Sequence, residues 1–178
     1  MPELRWLWML PVLAATVGAR ADDARGHGTP LTAEAVASIA STILPDGTGL
    51  PPGRGDAVTG AAVYAARCQA CHGAGGRDGP NDALVGGRGS LAGDAPEKTV
   101  GSYWPYATTV FDYVRRAMPY TEPGSLSADE VYAVTAYLLA ENGIIDEGTV
   151  LDADTLPAVE MPNREGFRRA WAPATDDL

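Results

Sequence analysis

Apolar positions along this chain gather into short runs separated by stretches dense in glycine and proline, and the spacing within those runs is helical rather than alternating. A segment from Leu31 to about Leu44, opened by Thr32 and built from Ala, Ile and Val, predicts a first helix. The run PDGTGLPPGRGD, Pro45 to Asp56, has too many turn formers for regular structure and predicts an extended connector on the surface. Asp56 then caps a helix predicted from Ala57 to about Ala70, on which Gly60, Tyr64, Cys68 and Cys71 share one face. A mid-helix glycine costs about 1 kcal/mol against alanine, so Gly60 predicts a second helix crossing closely there.

Residues 73–96 read as loop, with Leu84, Val85 and Leu91 to bury. A third strong helix is predicted from Tyr106 to Ala117, with Val110, Phe111 and Val114 facing inward and Pro119 beyond its end. The next has the clearest boundaries. Ser127 to Glu130 form a capping box, Val131, Val134, Tyr137 and Leu138 repeat at helical spacing, and Asn142-Gly143 supplies a left-handed stop. The acidic, proline-dotted remainder reads as a tail wrapped on the domain, and no internal repeat is visible.

The N-terminus has a different character. Arg5, an apolar run from Trp6 to Val17 and the small-x-small sequence Ala19-Arg20-Ala21 form a secretory signal with cleavage expected after Ala21. The run is about a dozen residues, short of the ~20 that span a bilayer. The expected organisation is signal 1–21, N-terminal extension 22–56, a domain over 57–142 and a tail over 143–178. On that reading the mature protein is expected in the periplasm as a soluble molecule.

Composition adds two constraints. Of 178 residues 46% are hydrophobic but only 7% aromatic, and there are 21 glycines and 14 prolines, so the single core needs further bulk at its centre. The formal charge is −10, and removal of Arg5, Arg20 and Glu3 with the signal takes it to −11. Such a balance disfavours nucleic acid and anionic membranes. It suits a partner with a basic docking patch, and it equally suits simple solubility.

Two cysteines in an exported chain ordinarily suggest a disulfide. Here they stand in CQACH, where Cys68 and Cys71 lie one helical turn apart and His72 follows at once. Two thiols that can form thioethers with two vinyl groups, and an imidazole that reaches the iron from the same side, are what covalent haem attachment requires. A thioredoxin-like pair would follow a strand, and a zinc site would need a second ligand pair for which His27 is the only other histidine. The motif thus predicts one haem c, with His72 on its iron. For a sixth ligand the mature chain offers Met118 and Met161. Met118, in RAMPY, directly follows a helix and precedes a stiffening proline, whereas Met161 lies past the last helix, so Met118 is the expected distal ligand. His/Met ligation suits electron transfer rather than oxygen chemistry.

The surrounding residues resemble those of class I cytochromes c. Gly79-Pro80-Asn81, Leu84 and Gly86 are similar to that family's loop after C-x-x-C-H, and Gly60, Tyr64 and Tyr137 to its crossing terminal helices. The resemblance implies an all-α fold of three to four helices around one covalently bound haem, with the Pro80 carbonyl accepting a hydrogen bond from His72. Arg88, Tyr103, Trp104, Arg115 and Arg116 are candidate donors to the haem propionates. Longer segments, PDGTGLPPGRG, GSYWPYATTVFDYVRRAMPY, PGSLSADEVYAVTAYLLAENGII and MPNREGF, resemble the SoxD-type cytochrome subunit of sulfane dehydrogenases and related sulfite dehydrogenases. SoxD-type chains commonly carry two haem domains, and this sequence has one C-x-x-C-H. The resemblance implies a non-catalytic electron-transfer chain that accepts single electrons from a molybdenum sulfite or sulfane dehydrogenase and passes them to a downstream acceptor. A general periplasmic carrier serving another dehydrogenase or a terminal oxidase is the alternative, and a catalytic or ligand-sensing haem with a displaceable Met118 is a third.

Overall fold

The computed structural model describes residues 28–39 and 42–168. The expected signal segment, His27 and the last ten residues lie outside them. The described residues fall into two compact units, 28–39 and 42–168. In the first, helix α1 spans Ala33–Ile39 and Thr32 Oγ1 accepts the Ala35 N–H at 3.1 Å, the start the sequence predicts. The helix is shorter than expected. Residues 42–44 are not helical, and Ile43 is buried in the core of the second unit.

That second unit is built on helices α2 (Ala57–Arg67), α4 (Ala107–Ala117) and α5 (Ala128–Glu141), with a short helical turn α3 (Gln69–His72) after α2. Asp56 caps α2 by accepting the Thr59 N–H. Ser127 and Glu130 form the complete reciprocal capping box on α5. At its other end Gly143 adopts φ 63°, while Gly143 N–H reaches the Ala140 carbonyl and Ile144 N–H the Leu139 carbonyl. Those two bonds satisfy carbonyls that a helix end leaves open.

Helix α5 is the centre of the unit, with Val131 to Ala136, Leu138 and Leu139 all buried. Helix α2 crosses it at Gly60, where a Cβ would lie 1.9 Å from the Ala133 carbonyl oxygen, and the Tyr64 and Tyr137 rings meet beside the crossing at 5.0 Å. Helix α4 packs on α5 through Phe111 and Tyr132, whose ring centroids are 4.4 Å apart. A two-residue antiparallel bridge, β1 (Arg54–Gly55) with β2 (Leu151–Asp152), joins the connector to the C-terminal segment. Local sequence carries no signal for so short a pairing. Leu151, Leu156 and Met161 of that segment are buried in the core. Farther on, the Asn163 amide donates to the Tyr103 carbonyl and the Phe167 ring meets that of Tyr103 at 5.1 Å. Among the described residues, no helix is long and apolar enough to cross a membrane.

Candidate haem site

The helix expected to run through Ala70 breaks at Cys68, whose φ of −124° leaves the helical region. The Cys68 N–H still closes α2 on the Tyr64 carbonyl, while its own carbonyl accepts from Cys71 N–H at 3.1 Å and His72 N–H at 3.0 Å and so starts α3. The kink separates the two sulfurs by environment. Cys68 is half-buried against the core and Cys71 is exposed, and the two are not joined as a disulfide. Before haem is attached, burial pushes the Cys68 thiol up to about 11, with Arg67 opposing the rise.

His72 is oriented from the loop that follows. The Asn81 N–H binds the Cys71 carbonyl at 2.9 Å and folds residues 79–82 back over α3, which brings the Asp82 carbonyl to 2.8 Å from His72 Nδ1. This corrects the expectation for Pro80: the loop presents the carbonyl two residues farther along. With Nδ1 donating to that carbonyl, Nε2 is the nitrogen available to iron. Tyr64 steadies the same region from α2. Its phenol donates to the Gly73 carbonyl at 2.9 Å, and burial raises its pKa to about 12, so it remains a donor.

Met118 is the C-cap of α4, with its N–H on the Val114 carbonyl and an extended backbone at φ −123° and ψ 148°. The side chain is half-buried, as are Cys68, Leu84 and Trp104, all packed against the same core. Met161 has only 4% of its surface exposed within that core. Of the other candidates, Trp104 stacks edge-on with Tyr113 at 5.6 Å, and Arg88 Nη2 donates to the Asn142 carbonyl at 3.2 Å. Arg116 is paired with Asp112. Arg88 and Arg116 are thus held by the protein's own acceptors. A cleft of about 280 Å³ between Arg54, Asp56, Asp129 and Glu130 contains none of the motif residues. Its carboxylates cap backbone N–H groups of Thr59, Arg54 and Ser127.

The donor set fits haem c. Two unpaired thiols one turn apart, an imidazole with Nδ1 already engaged, and a thioether donor among half-buried apolar side chains meet the chemical requirements of that group. Comparison with known proteins agrees. The family described as cytochrome C oxidase, cbb3-type, subunit III matches residues 55–138. A similar solved structure is the sulfane dehydrogenase SoxCD from Paracoccus pantotrophus, with 39% sequence identity, 86% of this chain and 81% of that chain covered, and a TM-score of 0.76. The chain is a class I c-type cytochrome of the SoxD type. Among curated proteins no match was found. The cytochrome carries covalently bound haem c with its iron. Likeness to the SoxCD structure extends well beyond the matched 55–138, so it includes much of the connector or C-terminal segment as well.

Sequence reasoning missed one residue that organises this site. Asn142 stands where a helix stop was expected, but it does more than end α5. Its Oδ1 accepts the Gly86 N–H at 3.0 Å, and its Nδ2 donates to the Leu84 and Leu138 carbonyls at 3.2 and 2.8 Å. Through these bonds the end of α5 holds the loop whose Asp82 carbonyl orients His72. An asparagine before a glycine signals a helix end in any protein, and nothing local reveals that its amide faces residues 84–86.

Proposed function

We propose that this cytochrome is an exported, periplasmic electron carrier that accepts single electrons from a molybdenum-containing sulfite or sulfane dehydrogenase subunit and passes them to a downstream acceptor. The observation that carries the reading is the 39% identity to the sulfane dehydrogenase SoxCD structure over 86% of the chain. Bound haem c supplies a one-electron iron couple. Cys68 and Cys71 would hold it covalently, the His72 Nδ1 hydrogen bond to the Asp82 carbonyl would keep Nε2 free for the iron, and Met118 would offer its thioether to the same iron. No residue of the chain is assigned a bond-making role. The formal charge of −10 adds electrostatic attraction to a basic partner surface.

Stopped-flow reduction tests the reading. The oxidised cytochrome should be reduced rapidly when a molybdenum sulfite or sulfane dehydrogenase and its sulfur substrate are supplied together. For a transient encounter the second-order rate should fall as ionic strength rises past ~0.1 M, where the screening length is about 10 Å. A permanent subunit would instead coelute with the dehydrogenase on gel filtration and be reduced at a rate independent of cytochrome concentration. Absence of reduction at every ionic strength discards the sulfur-oxidation assignment.

A further inference from the structure

Asp112 and Arg116 lie one turn apart near the end of α4, and such pairs on a helix surface ordinarily contribute little. This pair differs in its burial. The Asp112 side chain is only 8% exposed against 47% for Arg116, so the carboxylate needs its partners. Among the described residues it has two. Arg116 donates to it through Nε at 3.0 Å and again through Nη2, and the Ile43 N–H donates at 3.1 Å from 69 residues away.

Ile43 is itself buried in the core, so its N–H is a fixed donor. The connector that follows is tied down twice more. Thr108 Oγ1 on α4 donates to the Pro45 carbonyl at 3.1 Å, and the Tyr132 phenol on α5 donates to the Pro51 carbonyl at 3.0 Å. Asp112 therefore joins a strap across α4 and α5 to the last turn of α4, the turn that ends with the Met118 N–H on Val114. Past Met118, the chain is held differently. Arg67, next to Cys68 in sequence, donates to Glu122 at 2.8 Å and to Ser125 at 2.7 Å, and this contact is exposed to solvent. Of the two anchors flanking Met118, the buried one is the stronger because solvent screens the other.

We propose that Asp112 is a positioning residue for Met118: by fastening the Ile43 strap to the end of α4, it keeps the Met118 thioether from leaving its place on the iron. The inference rests on the reading of Met118 as the distal ligand. Its consequence concerns competition by added ligands. A small base such as imidazole binds the ferric iron only when the thioether has moved away, so its apparent affinity reports how firmly the Met118 segment is held.

The test uses the ferric holocytochrome, titrated with imidazole while the near-infrared sulfur-to-iron band is followed. Asp112→Asn preserves shape but removes the charge, and loss of one charge-assisted hydrogen bond corresponds to a rise in apparent imidazole affinity of roughly 10-fold or more. Arg116→Gln, whose side chain is half-exposed and whose amide can still donate to Asp112 without the charge, should shift affinity in the same direction. Glu122→Gln should change it less than about threefold, as befits an exposed contact. If Asp112→Asn and Arg116→Gln lower the melting temperature but leave imidazole affinity within about twofold, a purely structural role is established and the inference is overturned. Met118→Ala separates the two layers. Loss of the band in that variant upholds the ligand reading, whereas a persisting band overturns that reading and the inference with it.

Discussion

Replacing Gly60 by alanine tests the helix crossing on which the haem motif is mounted. A Cβ at this position would lie 1.9 Å from the Ala133 carbonyl oxygen, 2.5 Å from its carbon and 2.8 Å from Tyr137 Cβ. Two of those atoms are backbone of α5 and cannot rotate away. Ordinary contact begins at 3.4 Å, so α2 and α5 would have to part by about 1.5 Å at the crossing. Overpacking of this kind costs up to about 3 kcal/mol, and alanine returns about 1 kcal/mol through its better helix propensity. The net expectation is a loss of about 2 kcal/mol, equivalent to a fall in Tm of roughly 5–12 °C. Separation would also open the Tyr64–Tyr137 contact and slacken the Tyr64 hydrogen bond to Gly73 beside His72. Guanidinium unfolding of the purified holoprotein, followed by circular dichroism and by the Soret band, measures the change. Gly148→Ala is the control, because a Cβ there has no heavy atom within 4 Å and no left-handed φ is required. An unchanged midpoint in Gly60→Ala would refute the close-crossing argument.

Met161→Ala should cost about 2–5 kcal/mol by emptying a buried core position, yet leave the near-infrared sulfur-to-iron band in place; loss of the band would transfer the distal role to the C-terminal segment. Ser127→Ala should cost about 1 kcal/mol in chemical denaturation by removing one half of the capping box on α5. The Ser127 backbone and side chain hold the Glu130 carboxyl below its ordinary range, so that bond contributes stability above the unfolded carboxyl pKa and loses it as pH falls through the folded one. The wild type should therefore lose more stability than Ser127→Ala between neutral pH and pH ~3, and parallel pH profiles would contradict the assignment.

What the sequence determined by itself is local. CQACH specifies covalent haem because the thioether and iron-ligand chemistry depends on residues within five positions of one another, and the Ser127 capping box depends on residues three apart. Gly60 was legible for a related reason, since an unfavourable residue inside a helix implies close approach without revealing that Ala133 is the neighbour. Elements defined by their own spacing, α2, α4 and α5, follow from the sequence to within a few residues, whereas the break at Cys68 does not, because the helical spacing of Gly60, Tyr64, Cys68 and Cys71 runs straight through it. Tertiary structure alone decided which backbone carbonyl meets His72, Asp82 rather than Pro80, because that depends on how a glycine-rich loop folds back over α3. It also decided that Asn142 holds residues 84–86 and that Asp112 holds Ile43. Each of these bonds joins groups 56 to 69 residues apart, and a polar side chain carries no mark of a distant partner until burial removes its water and leaves that partner as its acceptor or donor.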